Sequence, residues 1–331
     1  MSHYRDQIGA AAQAATIRGP TQYVWLGRAS PPLPRSSNAF LRTSERRQYL
    51  VSALGERLYR SFYSQGAVVP ARWDRLEPVS ADDQLVQALS EANTGRGSWE
   101  SGWTVLRLEG DEAVVATPRL RTRVALGDCR PLGGFVGPGA RVSMRLPKEL
   151  PASSPGYCSV VSDAVPGGEW SMSAVRVYWN VTSTGAPSLV RALTSWLNSD
   201  GVTFRLKVVD HPARFARCDT AVLYLPSNAF LALRKRLGDV PATLTTRLRS
   251  PIPAFTLELA HGVGLAEDDG TGASFGVQRC ALLAECIVRT HEARIGQLQA
   301  RIDTIAAQFE QAGVKIDAPY LAPPLAGRHV L

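Results

Sequence analysis

Hydrophobic positions recur with helical spacing from Ser44 onward, where Tyr49, Leu50, Ala53, Leu54, Leu58 and Phe62 fall on one stripe and Gly66 follows as a stop. A second helix is expected over residues 81–93, with Ser80 as its cap and the run TGRG at its end. The period then shortens. Between residues 101 and 147, alternating runs divided by Gly, Pro and Asp predict four or five short strands in a small, strongly curved sheet. Extended segments follow around residues 176–181, 203–210 and 221–225, with a helix over 188–198 between the first two. A last long helix is expected from near Phe275 to Gln311, broken near Thr290. The pattern defines an α+β class: N-terminal helices, a small curved β-sheet, then a mixed sheet with packed helices and a long C-terminal helix.

The organisation read from this pattern is an N-terminal arm and Pro-rich linker (1–43), a single body (44–315) and a tail (316–331). Within the body, 44–97 is helical, 98–150 a small β subdomain and 151–315 a mixed α/β part. Hydrophobic residues make up 45% of the 331 and charged residues 20%, which is ordinary globular composition. Lys and Arg outnumber Asp and Glu by 37 to 29, giving a formal charge of +8 that suits a polyanionic or phosphorylated partner, or simply an Arg-rich surface. The five cysteines form no CxxC arrangement, which argues against a disulfide framework or structural zinc and for a reducing compartment. No apolar run reaches bilayer length, and the opening lacks a signal-peptide pattern, so a cytoplasmic protein without a membrane partner is expected.

Four segments next to expected strands concentrate groups that bind phosphate and move protons: RLPKEL (145–150), RVYWN (176–180), RLKVVD (205–210) and RFARCD (214–219). Alternate strand residues share a face, which groups Arg205 with Lys207, and Arg176 with Tyr178 and Asn180. Carboxylate pairs, metal-ligand clusters and nucleophile elbows are missing from these segments, so elimination chemistry fits best. A lysine among other cations has a lowered pKa and can act as a base. Lys207 is the first candidate and Lys148 the second. Arg205, Arg214 and Arg217 are candidates to clamp phosphate, with Arg145, Arg176 and Asn180 as further binding groups, and Tyr178 as proton donor. Against this, strand arginines are often solvated or acid-paired, and Asp210 and Asp219 are suited to neutralising them. The Gly-rich loop 261–272 has an acidic run that counts against phosphate binding.

The segments SFYSQG, EANTGRGSWESGW, RLPKEL with SPGY, VRVYWN, FRLKVV with ARFARCDTAVLYL, and LAEDDGTGASFGVQRCALLAE together resemble the HopA-type effector-like proteins over roughly residues 45–295. That family includes type III effectors and proteins associated with class V lanthipeptide and thioamide-containing peptide pathways. The resemblance implies a phosphoserine/phosphothreonine lyase that β-eliminates phosphate from a precursor peptide, giving dehydroalanine or dehydrobutyrine. It also implies a partner, an aminoglycoside-phosphotransferase-like kinase that adds the phosphate. It adds Arg279 to the candidate site and exposes one departure: Gln278 stands where the family resemblance suggests a His, and Gln is no general acid. The alternative is a noncatalytic partner that holds a precursor peptide or phosphopeptide for the kinase. No P-loop, kinase signature, dinucleotide fingerprint or basic recognition helix is present, so neither a cofactor nor a nucleic-acid partner is expected.

Overall fold

The computed structural model describes residues 3–34, 36, 40–66, 79–118, 120–150, 153–165, 174–244 and 247–323. In chain order the elements are α1 (His3–Ala14), β1 (Ala15–Gly19), β2 (Gln22–Trp25), β3 (Arg28–Ala29), α2 (Thr43–Ser61), α3 (Asp83–Ala92) and β4 (Ser98–Glu109). Four more strands complete the small sheet: β5 (Glu112–Ala116), β6 (Arg121–Ala125), β7 (Cys129–Pro131) and β8 (Arg141–Leu146). The body continues with β9 (Tyr157–Val161), β10 (Ala174–Trp179), α4 (Ala186–Ser199), β11 (Arg205–Val209), β12 (Ala221–Pro226) and α5 (Ser227–Thr243). It closes with β13 (Leu257–Ala260), β14 (Val263–Asp268), α6 (Phe275–Glu292) and α7 (Leu298–Gln311).

A six-stranded sheet, ordered β13-β14-β10-β12-β11-β9, organises the body. The α+β class is as expected; in detail, every pairing in this sheet is antiparallel rather than mixed. Its period-2 sequences divide the side chains cleanly. Val175, Val177, Trp179, Leu206, Val208, Leu223 and Leu225 point to one face and are buried with Leu189, Val190, Leu193 and Leu197 of α4 and Phe230 of α5. Each such side chain, when fully buried, contributes ~1.5–3 kcal/mol. The opposite face carries Arg176, Tyr178, Val222, Tyr224, Arg205 and Lys207. Part of it joins a second core with α2, α6, α7 and the N-terminal elements, and part stays open.

That second core depends on residues the sequence suggested were peripheral. Ile8, Ala11 and Ala12 of α1, and Tyr23 and Trp25 of the sheet β1-β2-β3, are buried beside Ile305 and Phe309. Segment 3–29, expected to belong to an arm, is therefore built into the body; its Ala-rich helix is held because small residues let α7 approach, with Ile302 close to Gly9. Parts of the expected Pro-rich linker, residues 35 and 37–39, lie outside the described residues, as does 324–331 of the expected tail. The tail is pinned as far as Ala322, whose N–H donates to Glu267, and Val314 and Ile316 are buried. Arg47 of α2 bridges Glu285 and Glu292 of α6, and Gly55 lies against Ala281 and Ala284. The long C-terminal helix is two helices, divided after Glu292 near the expected break. Asp82, not Ser80, caps α3, accepting from Leu85 N–H at 2.8 Å.

The small sheet has five strands, ordered β6-β5-β4-β8-β7, with bulges in β4 between Glu100 and Trp103 and between Val105 and Arg107 that curve it. Trp103, Val105, Ala113, Val115 and Val142 form its separate core.

Candidate functional site

Sheet register assembles the site. Arg176 of β10 and Arg205 of β11 both stand opposite Tyr224 of β12, and Lys207 stands opposite Val222 on the same face. The Tyr224 ring is thereby ringed by three cations: the guanidinium carbons of Arg176 and Arg205 lie 5.5 and 5.6 Å from its centroid and Lys207 Nζ lies 5.4 Å away. These groups line an open cavity of about 380 Å³. Its rim is Asp268 and the loop Gly270–Ser274, which leads into the N-terminus of α6.

The three cations are held differently. Arg176 is buried, donates from Nε to Asp268 Oδ2 at 2.9 Å and from Nη2 to the Ala273 carbonyl at 2.6 Å. Burial opposes its charge, but Tyr178, Asp268 and Tyr224 outweigh that and keep it protonated. Arg205 makes one long bond, from Nη2 to Ser154 Oγ at 3.3 Å, and its buried Nε has no partner among the described residues. Lys207 makes no hydrogen bond or ion pair among the described residues. Burial, then the charges of Arg205 and Arg176, lower its pKa to about 8. Burial pushes the Tyr224 hydroxyl up, so it remains a donor at neutral pH despite the two arginines. Three cations against one lining carboxylate suit the cavity to an anion, with a hydroxyl and an amine of lowered pKa at hand.

The loop's acids are already engaged. Asp268 serves Arg176, and its Oδ1 accepts the Gly270 N–H. Asp269 accepts from Thr271 and, at 2.7 Å, from Gln278 Nε2; burial raises its pKa, but these bonds and Arg176 hold it below the carboxylate range. Gln278 thus braces the rim of the cavity instead of facing into it. The start of α6 is fixed from beneath as well: a methyl on Gly276 would lie 2.3 Å from Tyr63 Cε1, and that ring is stacked on Tyr59 at 5.3 Å. Gly276→Ala is expected to cost ~1–3 kcal/mol, read as a lower denaturation midpoint, because a rigid ring cannot yield.

Of the sequence candidates, Arg176, Arg205 and Lys207 converge on the cavity; the others do not line it. Tyr178 is buried beneath, against Phe275 at 6.5 Å between centroids, with its hydroxyl pKa raised by burial. Lys148 donates to the carbonyls of Ser90 and Asn93 at the C-terminus of α3, a helix-end role for its charge. Arg145 is exposed on the small sheet, bonding the Arg96 carbonyl. Asn180 donates to the Pro251 carbonyl. Arg214 pairs with Asp210 and bonds the Val79 carbonyl. Arg217 forms a two-pronged pair with Asp219 and donates to Tyr59. Arg279 is buried, holding the carbonyls of Pro319 and Leu321; burial lowers its pKa to about 10. Tyr224 and Asp268 are not among the sequence candidates, and the Gly-rich loop, whose acidic run counts against phosphate binding in the sequence, forms the rim of the cavity. Tyr224 was hidden in the strand AVLYL, and its place among three cations depends on register.

Residues 149–321, more than half of the chain, match the HopA1 effector protein family, and the chain belongs to that family. The match includes the whole cavity and begins after the small β-sheet. Solved structures similar to the chain include two effector proteins. The effector protein from Pseudomonas syringae pv. tomato strain DC3000 is 17% identical, with 51% of this chain and 63% of that one covered and a TM-score of 0.38. The chain therefore spans under two thirds of that structure. The effector protein from Pseudomonas syringae pv. syringae strain 61 is 16% identical, with 84% and 97% covered and a TM-score of 0.44. No curated protein matches the chain.

Proposed function

We propose that the chain is a lyase that removes phosphate from phosphoserine or phosphothreonine in a peptide, with Lys207 as base. The observation that carries this reading is Lys207, which has no hydrogen bond or ion pair among the described residues and whose pKa is lowered to about 8, beside Arg205, whose Nε has no partner among them, and the acid-paired Arg176. Phosphate would bind between Arg205, the remaining Nη1 donors of Arg176 and the loop before α6, whose first-turn N–H groups carry no side-chain cap. Lys207 Nζ takes the α-proton, the C–H electrons form the Cα–Cβ double bond, and the Cβ–O bond breaks with its electrons leaving on phosphate. Dehydroalanine or dehydrobutyrine, inorganic phosphate and a lysine ammonium result. Tyr224 is suited to donate to the peptide carbonyl as negative charge develops on it.

The substrate is then a precursor peptide in ribosomal peptide biosynthesis, such as a lanthipeptide or thioamitide. An aminoglycoside-phosphotransferase-like kinase supplies the phosphate. The pH profile tests the base. Only the neutral amine removes a proton, so kcat/KM on a phosphoserine peptide rises with pH through about 8 and then levels off. A profile that is flat across that range, or falls through it, contradicts the role given to Lys207.

A further inference from the structure

A second, larger cavity lies away from the cationic site. It is an open groove of about 950 Å³ on the small sheet, lined by residues 122–125 of β6, by Met144–Leu146 of β8 and by the turns carrying Arg96 and Lys148. β6 is an edge strand: it pairs with β5 on one side and with no strand on the other among the described residues. An edge strand carries backbone donors and acceptors able to pair with another chain. The lining holds four cations, Arg96, Arg123, Arg145 and Lys148, against one carboxylate, Asp128, which sits 3.8 Å from Arg145. Arg96 and Arg123 are exposed, and Arg123 shares Glu109 with Arg107. Val124, Met144 and Leu146 supply an apolar floor.

We infer that this groove binds an acidic peptide segment in extended form, added as a strand along β6 with its carboxylates on Arg96 and Arg123. Charge selects the partner, and the unpaired edge selects its conformation: alternate side chains of an added strand face the groove while the backbone pairs. That the segment belongs to the same peptide chain that is eliminated rests on the proposed lyase function; binding in the groove does not. The groove would then hold a flanking region of the substrate while the cationic pocket takes the phosphorylated residue.

The test uses the full chain and three fluorescent peptides of about ten residues, long enough to cover the five residues of β6. One alternates Glu with Val, one replaces each Glu by Lys, and one keeps the charge but places Pro at alternate positions. Fluorescence anisotropy is expected to show binding of the first alone, weakened at least about tenfold by the double substitution Arg96→Glu and Arg123→Glu and by raised salt. The same variant is expected to release phosphate normally from a short phosphoserine peptide with no acidic flank. Equal binding of the Pro-bearing peptide would overturn strand addition, and it does so on the unaltered protein, independent of how any variant folds. Unchanged affinity in the double variant would overturn the groove assignment. Because no chemistry is read in the binding arm, loss of the lyase function leaves its result standing, and the converse also holds.

Discussion

Lys207→Ala is expected to reduce phosphate elimination by at least ~10²–10⁴-fold, the usual contribution of a positioned proton acceptor, without lowering stability. The amine is the one pocket cation with no hydrogen bond or ion pair among the described residues, so its removal breaks neither and gives up only the contact with the Tyr224 ring. Its folded pKa of about 8 lies below the ordinary 10.5, so the charged form is disfavoured by folding. That penalty is fully present below about pH 8 and fades as pH rises toward 10.5, which means wild-type stability gains over this window. The Ala variant is expected to lose that gain and to match or exceed the wild type at neutral pH. Lys207→Arg separates binding from catalysis, since guanidinium keeps the charge but does not deprotonate. It should retain phosphopeptide affinity and lose elimination. A variant that loses elimination together with its thermal transition would point to a structural role instead.

Asp219→Ala is expected to give the largest loss of stability, ~3–5 kcal/mol, measured by urea denaturation. Asp219 and Arg217 have side-chain exposures of 4% and 13%, and two bonds of 2.5 and 2.6 Å join them. The guanidinium also lies 5.5 and 5.8 Å from the ring centroids of Tyr59 and Tyr157. An uncompensated buried charge remains. Replacing both partners by apolar residues should recover most of the loss, because desolvation of the pair then disappears with it. The effect reaches the site through Tyr59, which stacks on Tyr63 beneath the first turn of α6. A loss below about 1 kcal/mol for Asp219→Ala would show that the pair contributes little.

Local sequence carried one part of the cationic site and long-range register the other. Strand alternation was enough to put Arg205 with Lys207 and Arg176 with Tyr178, since side-chain direction follows from a two-residue period. Which strands neighbour one another is not encoded in that period. Local sequence therefore does not mark Tyr224, although it stands between Arg176 and Arg205. The acidic run at Glu267–Asp269 counted against phosphate binding because its partners were invisible: Arg176 takes Asp268, while Thr271 and Gln278 take Asp269. The surplus of candidate arginines has the same origin. Arg279 is occupied by carbonyls some forty positions onward, at Pro319 and Leu321, and no motif announces such a bond. The burial of the N-terminal helix depends on α7 at the far end of the chain, which no local pattern announces.

The most direct measurement is to incubate the purified chain with a phosphoserine precursor peptide, without added nucleotide, and follow peptide mass together with released phosphate. Loss of phosphoric acid from the peptide, matched by inorganic phosphate and absent with Lys207→Ala, is the predicted result. Tight binding of a phosphopeptide that stays intact, with its cognate kinase present as well, would contradict the lyase and leave a protein that recognises phosphorylated peptides without acting on them.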